Sequence, residues 1–180
     1  MAKLIAFNMI TADGYFKGAG GDISWHRVDE EVNDFFIEQL QQAERLVFGR
    51  TTFELMENHW QSVQAIKQNP QVAKLMTKYP KIVFSKRRNK SAWPNTLFKN
   101  DHLEQEVQQI KKNRGDTIIF GSAELVAALI NSRLVDELRF MYNPVALGAG
   151  RPFLHEYLEM DLLKVKVFGN GNVLHCYRPV

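Results

Sequence analysis

Three short apolar runs in this sequence are each followed directly by residues suited to binding phosphate. The following residues are Gly49-Arg50-Thr51, Ser85-Lys86-Arg87 and Gly121-Ser122. Where a buried strand turns into a helix through a glycine, free backbone N–H groups and the helix dipole together attract an anion. Lysine and arginine side chains add charged hydrogen bonds to phosphate oxygens. Together the three segments predict a site for a dinucleotide that carries an extra phosphate.

Each segment alone also has a structural interpretation. A glycine suits any turn from a strand into a helix, and the basic run from Ser85 to Lys90 fits a solvated loop. Thr51 and Glu54 have the spacing of a capping box, which predicts that a helix begins at Thr51. Arg50 lies between the strand and this cap, so its side chain is expected to be free to reach an anion.

The elements that must position these segments alternate along the chain. Runs of strand length cover residues 4–10, 45–48, 81–84, 96–98, 117–120, 138–142, 162–168 and 173–178. Helices are predicted near residues 30–43, from 51 onward, and near 102–113 and 123–130, with Asp29 as the N-cap of the first. Gly169-Asn170-Gly171-Asn172 predicts a hairpin between the last two strands. This order predicts an α/β fold with a mixed, mostly parallel central sheet, flanking helices and a C-terminal antiparallel hairpin.

Composition limits the class of protein. The 180 residues predict one domain over 1–180, with an ordinary balance of 45% hydrophobic and 24% charged residues. We expect a cytoplasmic protein, because no apolar run reaches the length of a membrane span and no signal peptide opens the chain. The net charge of +3 is too weak to predict a nucleic-acid partner. One cysteine and scattered histidines give no metal-ligand spacing.

The first strand runs into a glycine-rich loop that begins with Asp13-Gly14. Such a loop is either a binding lip or a plain connection. Trp25 and Glu30 follow it, and Glu30 lies in the first turn of the predicted helix. An acid there complements the helix dipole. If it faces a closed pocket, burial raises the pKa of a carboxyl and suits it to acid catalysis.

The chain resembles the dihydrofolate reductase-like superfamily. Val47-Phe48-Gly49-Arg50-Thr51-Thr52-Phe53-Glu54 looks like the strand–Gly-Arg-x-Thr–helix segment of dihydrofolate reductases. The segments Phe120–Leu125, Leu134–Leu138 and Leu147–Gly150 are similar to the reductase domain of riboflavin biosynthesis, as is Asp13-Gly14. The resemblance covers nearly the whole chain. It implies the dihydrofolate reductase-like fold, NADPH as the cofactor and a homodimer.

The resemblance also implies roles for individual residues. Those at the pyrophosphate and adenosine side of NADPH would be Gly49, Arg50 and Thr51. Those at the 2′-phosphate would be Ser85, Lys86 and Arg87. Those at the pyrophosphate or nicotinamide half would be Gly121, Ser122, Ala123 and Glu124. Trp25 and Gly14 would contact the substrate, and Glu30 would support protonation, with Asp13 as the alternative acid.

Two positions depart from the family pattern. Ser122 stands where the family usually has a second glycine, and Phe120 stands where riboflavin-pathway enzymes often have a glutamate. The deaminase half of the bifunctional enzyme is absent, because the His-x-Glu and Pro-Cys-x-x-Cys spacings of its zinc site do not occur.

The sequence therefore predicts an NADPH-dependent reductase that transfers a hydride to a small heterocyclic or ribosylaminopyrimidine-type substrate. The alternatives are a dihydrofolate or pteridine reductase, and a non-catalytic NADP(H)-binding protein with the same fold. Dimerisation is also expected from the apolar residues of the last two strands, namely Val165, Val167, Phe168, Val173 and Leu174.

Overall fold

The computed structural model describes residues 2–180. Its strands are β1 (Leu4–Thr11), β2 (Tyr15–Lys17), β3 (Ala43–Gly49), β4 (Lys81–Phe84), β5 (Thr96–Lys99), β6 (Asp116–Ile119), β7 (Glu137–Asn143), β8 (Arg151–Pro152), β9 (Met160–Val167) and β10 (Val173–Pro179). Its α-helices are α1 (Glu30–Gln42), α2 (Arg50–Trp60), α3 (Val63–Gln68), α4 (Pro70–Lys78), α5 (Leu103–Lys112) and α6 (Ala123–Asn131).

Eight strands form the central sheet, in the order β5-β4-β3-β6-β1-β7-β10-β9. The strands from β5 to β7 pair in parallel, whereas β10 pairs antiparallel with both β7 and β9. The predicted mixed sheet with a C-terminal antiparallel hairpin is therefore confirmed. Because β3, β4, β6 and β1 run in parallel, their carboxyl ends lie at one edge, where ligands bind in open α/β sheets.

Helices bury an apolar core on each face of the sheet. On one face, α5 and α6 pack their apolar sides, including Val107 and Leu129, against the strands. On the other face lie α1, α2 and α4, with Phe35, Phe53 and Met76 buried below them. Apolar side chains of β1 and β6 contribute to both clusters, so the sheet is held between two helical layers.

Two details differ from the sequence-based prediction. Helix α2 begins at Arg50 with Gly49 as its N-cap, and no side chain caps it. The expected Thr51–Glu54 capping box is therefore wrong, because the Glu54 carboxylate is paired with Arg50 instead. Helices α3 and α4 were not expected, because Asn69-Pro70 interrupts the segment into two pieces too short to show a clear period. Local signals were nonetheless present: Ser62 caps α3, and proline occupies the first position of α4.

A small sheet organises the glycine-rich loop after β1. Strand β2 pairs with β8, which brings residues 15–17 against residues 151–152. Gly150 is required at this crossing, because a Cβ there would lie 2.4 Å from the carbonyl oxygen of Lys17.

Within residues 2–180, no helix combines the length and apolarity that crossing a bilayer requires.

Lys81 is a buried residue of β4, and its ammonium group binds backbone carbonyls at the C-terminal end of α4. Its Nζ donates to the carbonyl oxygens of Met76 at 2.8 Å, Thr77 at 3.0 Å and Tyr79 at 2.8 Å. Lys81→Met keeps most of the apolar stem but leaves the carbonyls of Met76, Thr77 and Tyr79 without this donor. We expect a loss of about 2 kcal/mol in the free energy of unfolding, measured by urea denaturation. Lys78→Met, at an exposed position of the same helix, is the control, and equal stabilities of the two variants would contradict the assignment.

Candidate active site

The ends of β3 and β6 meet at the carboxyl edge of the sheet. The Gly49 N–H donates to the carbonyl oxygen of Gly121 at 2.7 Å. A Cβ at Gly49 would lie 3.0 Å from the Ser122 backbone nitrogen, so only glycine fits without displacing the neighbouring turn. Gly121 has a positive φ of 108°, in a region that favours glycine. The structure thus brings two of the three predicted phosphate segments into direct contact.

The two helices that begin at this edge differ in whether a side chain caps their first backbone N–H groups. The first turn of α2 contains no acidic residue, and no side chain caps it. The first turn of α6 is capped by Ser122 and contains Glu124, which pairs with Arg151. An anion is attracted by free N–H groups and repelled by a carboxylate. The N-terminus of α2 is therefore the better seat for a phosphate.

Arg50 is not free, contrary to the expectation from its place after the strand. Its Nη1 donates to the Glu54 carboxylate at 2.8 Å, one helical turn away. The side chains of both residues are about one-third exposed, at 37% and 34%. Such a pair contributes little to stability, so a ligand phosphate can compete for the guanidinium. Glu54 is bound through Nη1, so the other N–H donors of the Arg50 guanidinium can contact an anion while the pair persists.

The basic loop after β4 has a hydrogen-bonded backbone and exposed cations. Ser85 is buried, and its Oγ accepts hydrogen bonds from the backbone N–H groups of Arg87 at 3.2 Å and Arg88 at 2.9 Å. Arg88 is bound to Glu57 at 2.7 Å and thereby belongs to the protein's own packing. Lys86 and Arg87 are exposed and form no ion pair with any of residues 2–180. Ser85 thus fixes the shape of the loop, and the side chains of Lys86 and Arg87 are available to bind an anion.

A cavity of about 1090 Å³ lies beside this edge, on the face of the sheet that α1 covers. Its walls come from β1, β6, α1, α2 and α4, and they include the aromatic rings of Phe7, Phe16, Phe36, Trp60 and Phe120. The unexpected α4 supplies one side through Pro70, Val72 and Met76. This volume and mixed lining are typical of a small-molecule site.

The predicted site residues separate into three groups. Those that line the cavity are Glu30, Gly121, Ser122 and Ala123. Those at the carboxyl ends of the strands, outside the cavity, are Gly49, Arg50, Thr51, Ser85, Lys86, Arg87 and Glu124. Those in the loops that precede α1, outside the cavity lining, are Asp13, Gly14 and Trp25.

Asp13 holds two loops together. Its carboxylate accepts hydrogen bonds from Thr11 Oγ1 at 2.6 Å and from the backbone N–H groups of Leu147 at 3.0 Å and Gly148 at 2.8 Å. The Thr11 hydrogen bond, aided by that of Gly148, lowers the pKa of Asp13 below its ordinary value. An ionised carboxylate with three donors is a poor proton source at neutral pH, and its contacts are those of a structural residue.

The start of α1 presents acidic side chains to the cavity. Asp29 is the N-cap, as predicted, and accepts from the Val32 N–H at 3.0 Å. Glu30 follows it and lines the cavity, as does Asp34 one turn later. Glu30 is exposed. The burial that acid catalysis would require is therefore not supplied by the protein alone, and a bound substrate would have to complete it.

Asn8 and His26 are polar residues of the cavity that the sequence did not single out as ligands. Asn8 Oδ1 and His26 Nε2 are both buried without a hydrogen-bond partner among residues 2–180. Trp25 packs edge-on against His26 with ring centroids 4.4 Å apart, and donates through Nε1 to the carbonyl oxygen of Asp22 at 3.2 Å. Trp25 therefore positions the histidine while standing outside the cavity itself. Sequence offers no signal for either atom, because its burial depends on how the chain folds over it.

His26 makes stability depend on pH in a predictable direction. Burial lowers its pKa from 6.5 to about 4, with the Asp22 carboxylate opposing the shift. The unfolded chain therefore binds more protons between these values, and stability present above pH 6.5 is lost as the pH falls towards 4. We expect His26 to account for about 1 kcal/mol of lost stability between pH 7 and pH 5.5. The measurement is denaturant unfolding of the wild type and of His26→Phe, and identical pH dependences would contradict the shift.

No group of three or more histidine, cysteine, aspartate or glutamate side chains in the described part of the chain, residues 2–180, is arranged to hold a metal ion.

Two comparisons with known proteins give matches over nearly the whole chain. A profile of the RibD C-terminal domain matches residues 2–174. The uncharacterized protein YyaP of Bacillus subtilis (strain 168) is 30% identical over 179 residues, which are 97% of this chain and 94% of YyaP.

Two solved structures share the fold at low sequence identity. Dihydrofolate reductase from Enterococcus faecalis, complexed with NADP(H), has a TM-score of 0.63 and 19% identity, and the match covers 98% of this chain and 96% of that one. A diaminohydroxyphosphoribosylaminopyrimidine deaminase/5-amino-6-(5-phosphoribosylamino)uracil reductase from Thermotoga maritima has a TM-score of 0.70 and 13% identity, with 99% of this chain matching 57% of that one. The fold is dihydrofolate reductase-like, and the chain belongs to the RibD C-terminal domain family.

Proposed function

We propose that this protein is an NADPH-dependent reductase that acts on a small heterocyclic substrate. The observation that carries the proposal is a sheet edge with an uncapped helix N-terminus and exposed cations, placed beside a cavity of about 1090 Å³. Family membership supports a reductase, and the NADP(H) complex of the dihydrofolate reductase with the same fold supports the cofactor.

The residues present at this edge fit such a cofactor. Gly49 and the Gly121-Ser122 turn pack directly against each other, which places the start of α2 beside the start of α6. The uncapped N-terminus of α2 offers N–H groups to the pyrophosphate. Lys86 and Arg87 supply the positive charge that the 2′-phosphate requires.

When bound, NADPH would supply the hydride. The chain's own contribution is to place the substrate in the cavity, where the rings of Phe7, Phe36 and Phe120 exclude water. Glu30 lines this cavity and would support protonation of the acceptor once the substrate covers its carboxyl.

Two proteins with the same fold supply candidates for the substrate class. The Thermotoga maritima relative carries the name of a 5-amino-6-(5-phosphoribosylamino)uracil reductase, which makes a ribosylaminopyrimidine-type substrate one candidate. The dihydrofolate reductase with the same fold makes a pteridine a second candidate.

The exposure of Glu30 favours a rival of another class, a protein that binds NADP(H) without turnover.

The test is consumption of NADPH in the presence of dihydropteridines, pyrimidine derivatives and related heterocycles. The proposal predicts NADPH binding together with oxidation that depends on one class of acceptor. Binding without oxidation for every class would replace the reductase with the binding protein. Absence of NADPH binding would overturn both.

We further propose that the protein is a homodimer formed through β9. This strand lies at the edge of the sheet and exposes Leu162, Leu163, Val165 and Val167. Phe168 and Leu174, which the sequence suggested as interface residues, are each only 2% exposed and belong to the core. An exposed apolar edge strand is normally covered. The backbone groups along the free edge of β9 can pair with β9 of a second copy.

Light scattering at micromolar concentration is expected to give twice the mass of the 20.8 kDa chain. The double change Val165→Lys and Val167→Lys is expected to give monomers, because it places charge on the edge strand. Val63→Lys, at a residue 69% exposed on α3, is the control. A wild type that is monomeric would contradict the dimer.

A further inference from the structure

Arg88 differs from its exposed neighbours in the loop after β4, because its side chain packs against the protein. Its side chain is 27% exposed, and its Nη2 lies 2.7 Å from the carboxylate of Glu57 on α2. Its guanidinium lies over two rings, 5.2 Å from the ring centroid of Phe53 and 5.8 Å from that of Phe98. Arg88 therefore attaches the loop to both α2 and β5.

Glu57, the partner of Arg88, is itself held in place. It is 9% exposed and accepts a hydrogen bond from Ser91 Oγ, at the far end of the same loop. Arg88 Nε donates to the carbonyl oxygen of Lys90 at 3.0 Å, and its backbone N–H donates to Ser85 Oγ at 2.9 Å. Arg88 and Glu57 thus hold the loop at its start, its middle and its end.

The same ion pairs connect the loop to the start of α2. Glu54 lies between two arginines, with Arg50 Nη1 at 2.8 Å and Arg88 Nη1 at 3.9 Å from its carboxylate oxygens. From Arg50 through Glu54 and Arg88 to Glu57, the charges alternate in sign. Ion pairs joined in a network contribute more than isolated surface pairs, and partial burial reduces their screening by salt. This network sets the distance between the first turn of α2 and the loop.

That distance matters for a ligand with two separate phosphate groups. In the proposed function, the start of α2 contacts the pyrophosphate of NADPH, and Lys86 and Arg87 contact its 2′-phosphate. Both cations directly precede Arg88, so the release of Arg88 would leave them on a mobile loop. A mobile loop must be ordered when a phosphate binds, and this ordering reduces affinity. NADH lacks the 2′-phosphate and does not require the loop.

We propose that Arg88 is a positioning residue that holds Lys86 and Arg87 at a set distance from α2 and thereby determines the preference for NADPH over NADH. The proposal rests on the proposed function, because NADPH is the cofactor placed at this edge of the sheet. It deepens that function by assigning the cofactor preference to a side chain that acts through its neighbours.

The test is calorimetric titration of NADPH and NADH on the wild type, Arg88→Met and Glu57→Gln. Methionine keeps an apolar side chain over the two rings but removes the charge and the N–H donors. We expect NADPH to bind about tenfold more weakly to Arg88→Met and about threefold more weakly to Glu57→Gln, with NADH affinity nearly unchanged in both. An equal loss for the two cofactors, or no loss for NADPH, would overturn the proposal.

Lys111→Met is the matched control. Lys111 forms an ion pair of similar burial with Asp136 at 2.7 Å, on α5 in the other helical layer. Its loss should leave the ratio of the NADPH and NADH dissociation constants unchanged. A change in that ratio as large as the one in Arg88→Met would overturn the assignment to Arg88. If Arg88→Met fails to fold, Glu57→Gln makes the same comparison.

A double-mutant cycle separates positioning from direct contact with the phosphate. In protein that already carries Lys86→Ala and Arg87→Ala, Arg88→Met should weaken NADPH no further, because Arg88 acts through the two missing cations. A further loss of about tenfold would mean that Arg88 itself contacts the phosphate, and would overturn the positioning role.

Amide hydrogen exchange without cofactor measures the attachment of the loop directly. Residues 85–91 should exchange faster in Arg88→Met than in the wild type, and unchanged exchange would overturn the inference. If the wild type prefers NADPH and both variants keep that preference, the inference alone fails. If the wild type binds neither cofactor, the proposed function fails and the inference fails with it.

Discussion

Alanine at both Lys86 and Arg87 is expected to weaken NADPH binding by roughly 100-fold while leaving NADH binding unchanged. These side chains are exposed and unpaired within residues 2–180, and the buried Ser85 holds their loop at the end of β4. Only NADPH carries the 2′-phosphate, and each charged hydrogen bond to it contributes on the order of 1.5 kcal/mol. Two such bonds correspond to about 100-fold in the dissociation constant. Calorimetric titration of both cofactors measures the effect.

Two controls belong to that experiment. Lys90→Ala removes an exposed cation from the same loop and should change NADPH affinity far less. Arg88 is left intact, because its pairing with Glu57 makes it part of the fold. If wild-type protein binds NADPH and NADH equally, the loop after β4 does not contact the cofactor.

Glu30→Gln is expected to reduce turnover by about 100-fold, the usual scale of lost acid–base assistance, with NADPH affinity nearly unchanged. Glu30 lines the cavity at the start of α1 and does not belong to the three predicted phosphate segments. Glutamine keeps the size of the side chain but cannot release a proton. Steady-state rates with the acceptor identified by NADPH consumption provide the measurement.

Glu38→Gln is the matched control, because Glu38 lies on the same helix, is exposed and does not line the cavity. It should retain full turnover. Full turnover in Glu30→Gln as well would remove Glu30 from the chemistry. The binding-protein interpretation would then gain support, because Asp13 is tied to Thr11 and to the Leu147–Gly148 turn.

The architecture could be predicted because its signals are local. The apolar runs that became β1, β3, β4 and β6, the Asp29 cap and the glycine-rich hairpin each act over a few neighbouring residues. Helices α3 and α4 were missed because Asn69-Pro70 interrupts the periodicity of their apolar residues. Because α4 forms one wall of the cavity, that wall was missed as well.

The site could be predicted only where it follows from strand order. Gly49 and Gly121 meet because parallel strands end at one edge, and that rule applies to the sequence directly. The pairing of Arg50 with Glu54 and the role of Asp13 in joining loops depend on which hydrogen-bond partners lie nearby in the folded chain. The spacing of a sequence motif does not give this information. Asn8 and His26 were missed because an unpaired buried atom is defined by the folded surroundings alone.

Amide hydrogen exchange with and without saturating NADPH is the most direct test of the cofactor site. We expect slower exchange in three segments that are distant in sequence: the β3–α2 turn around Gly49, the Ser85–Lys90 loop and the β6–α6 turn around Gly121. The β9–β10 hairpin should not change. Protection confined to other segments, or no protection at a concentration where calorimetry shows binding, would contradict the placement of NADPH at this edge of the sheet.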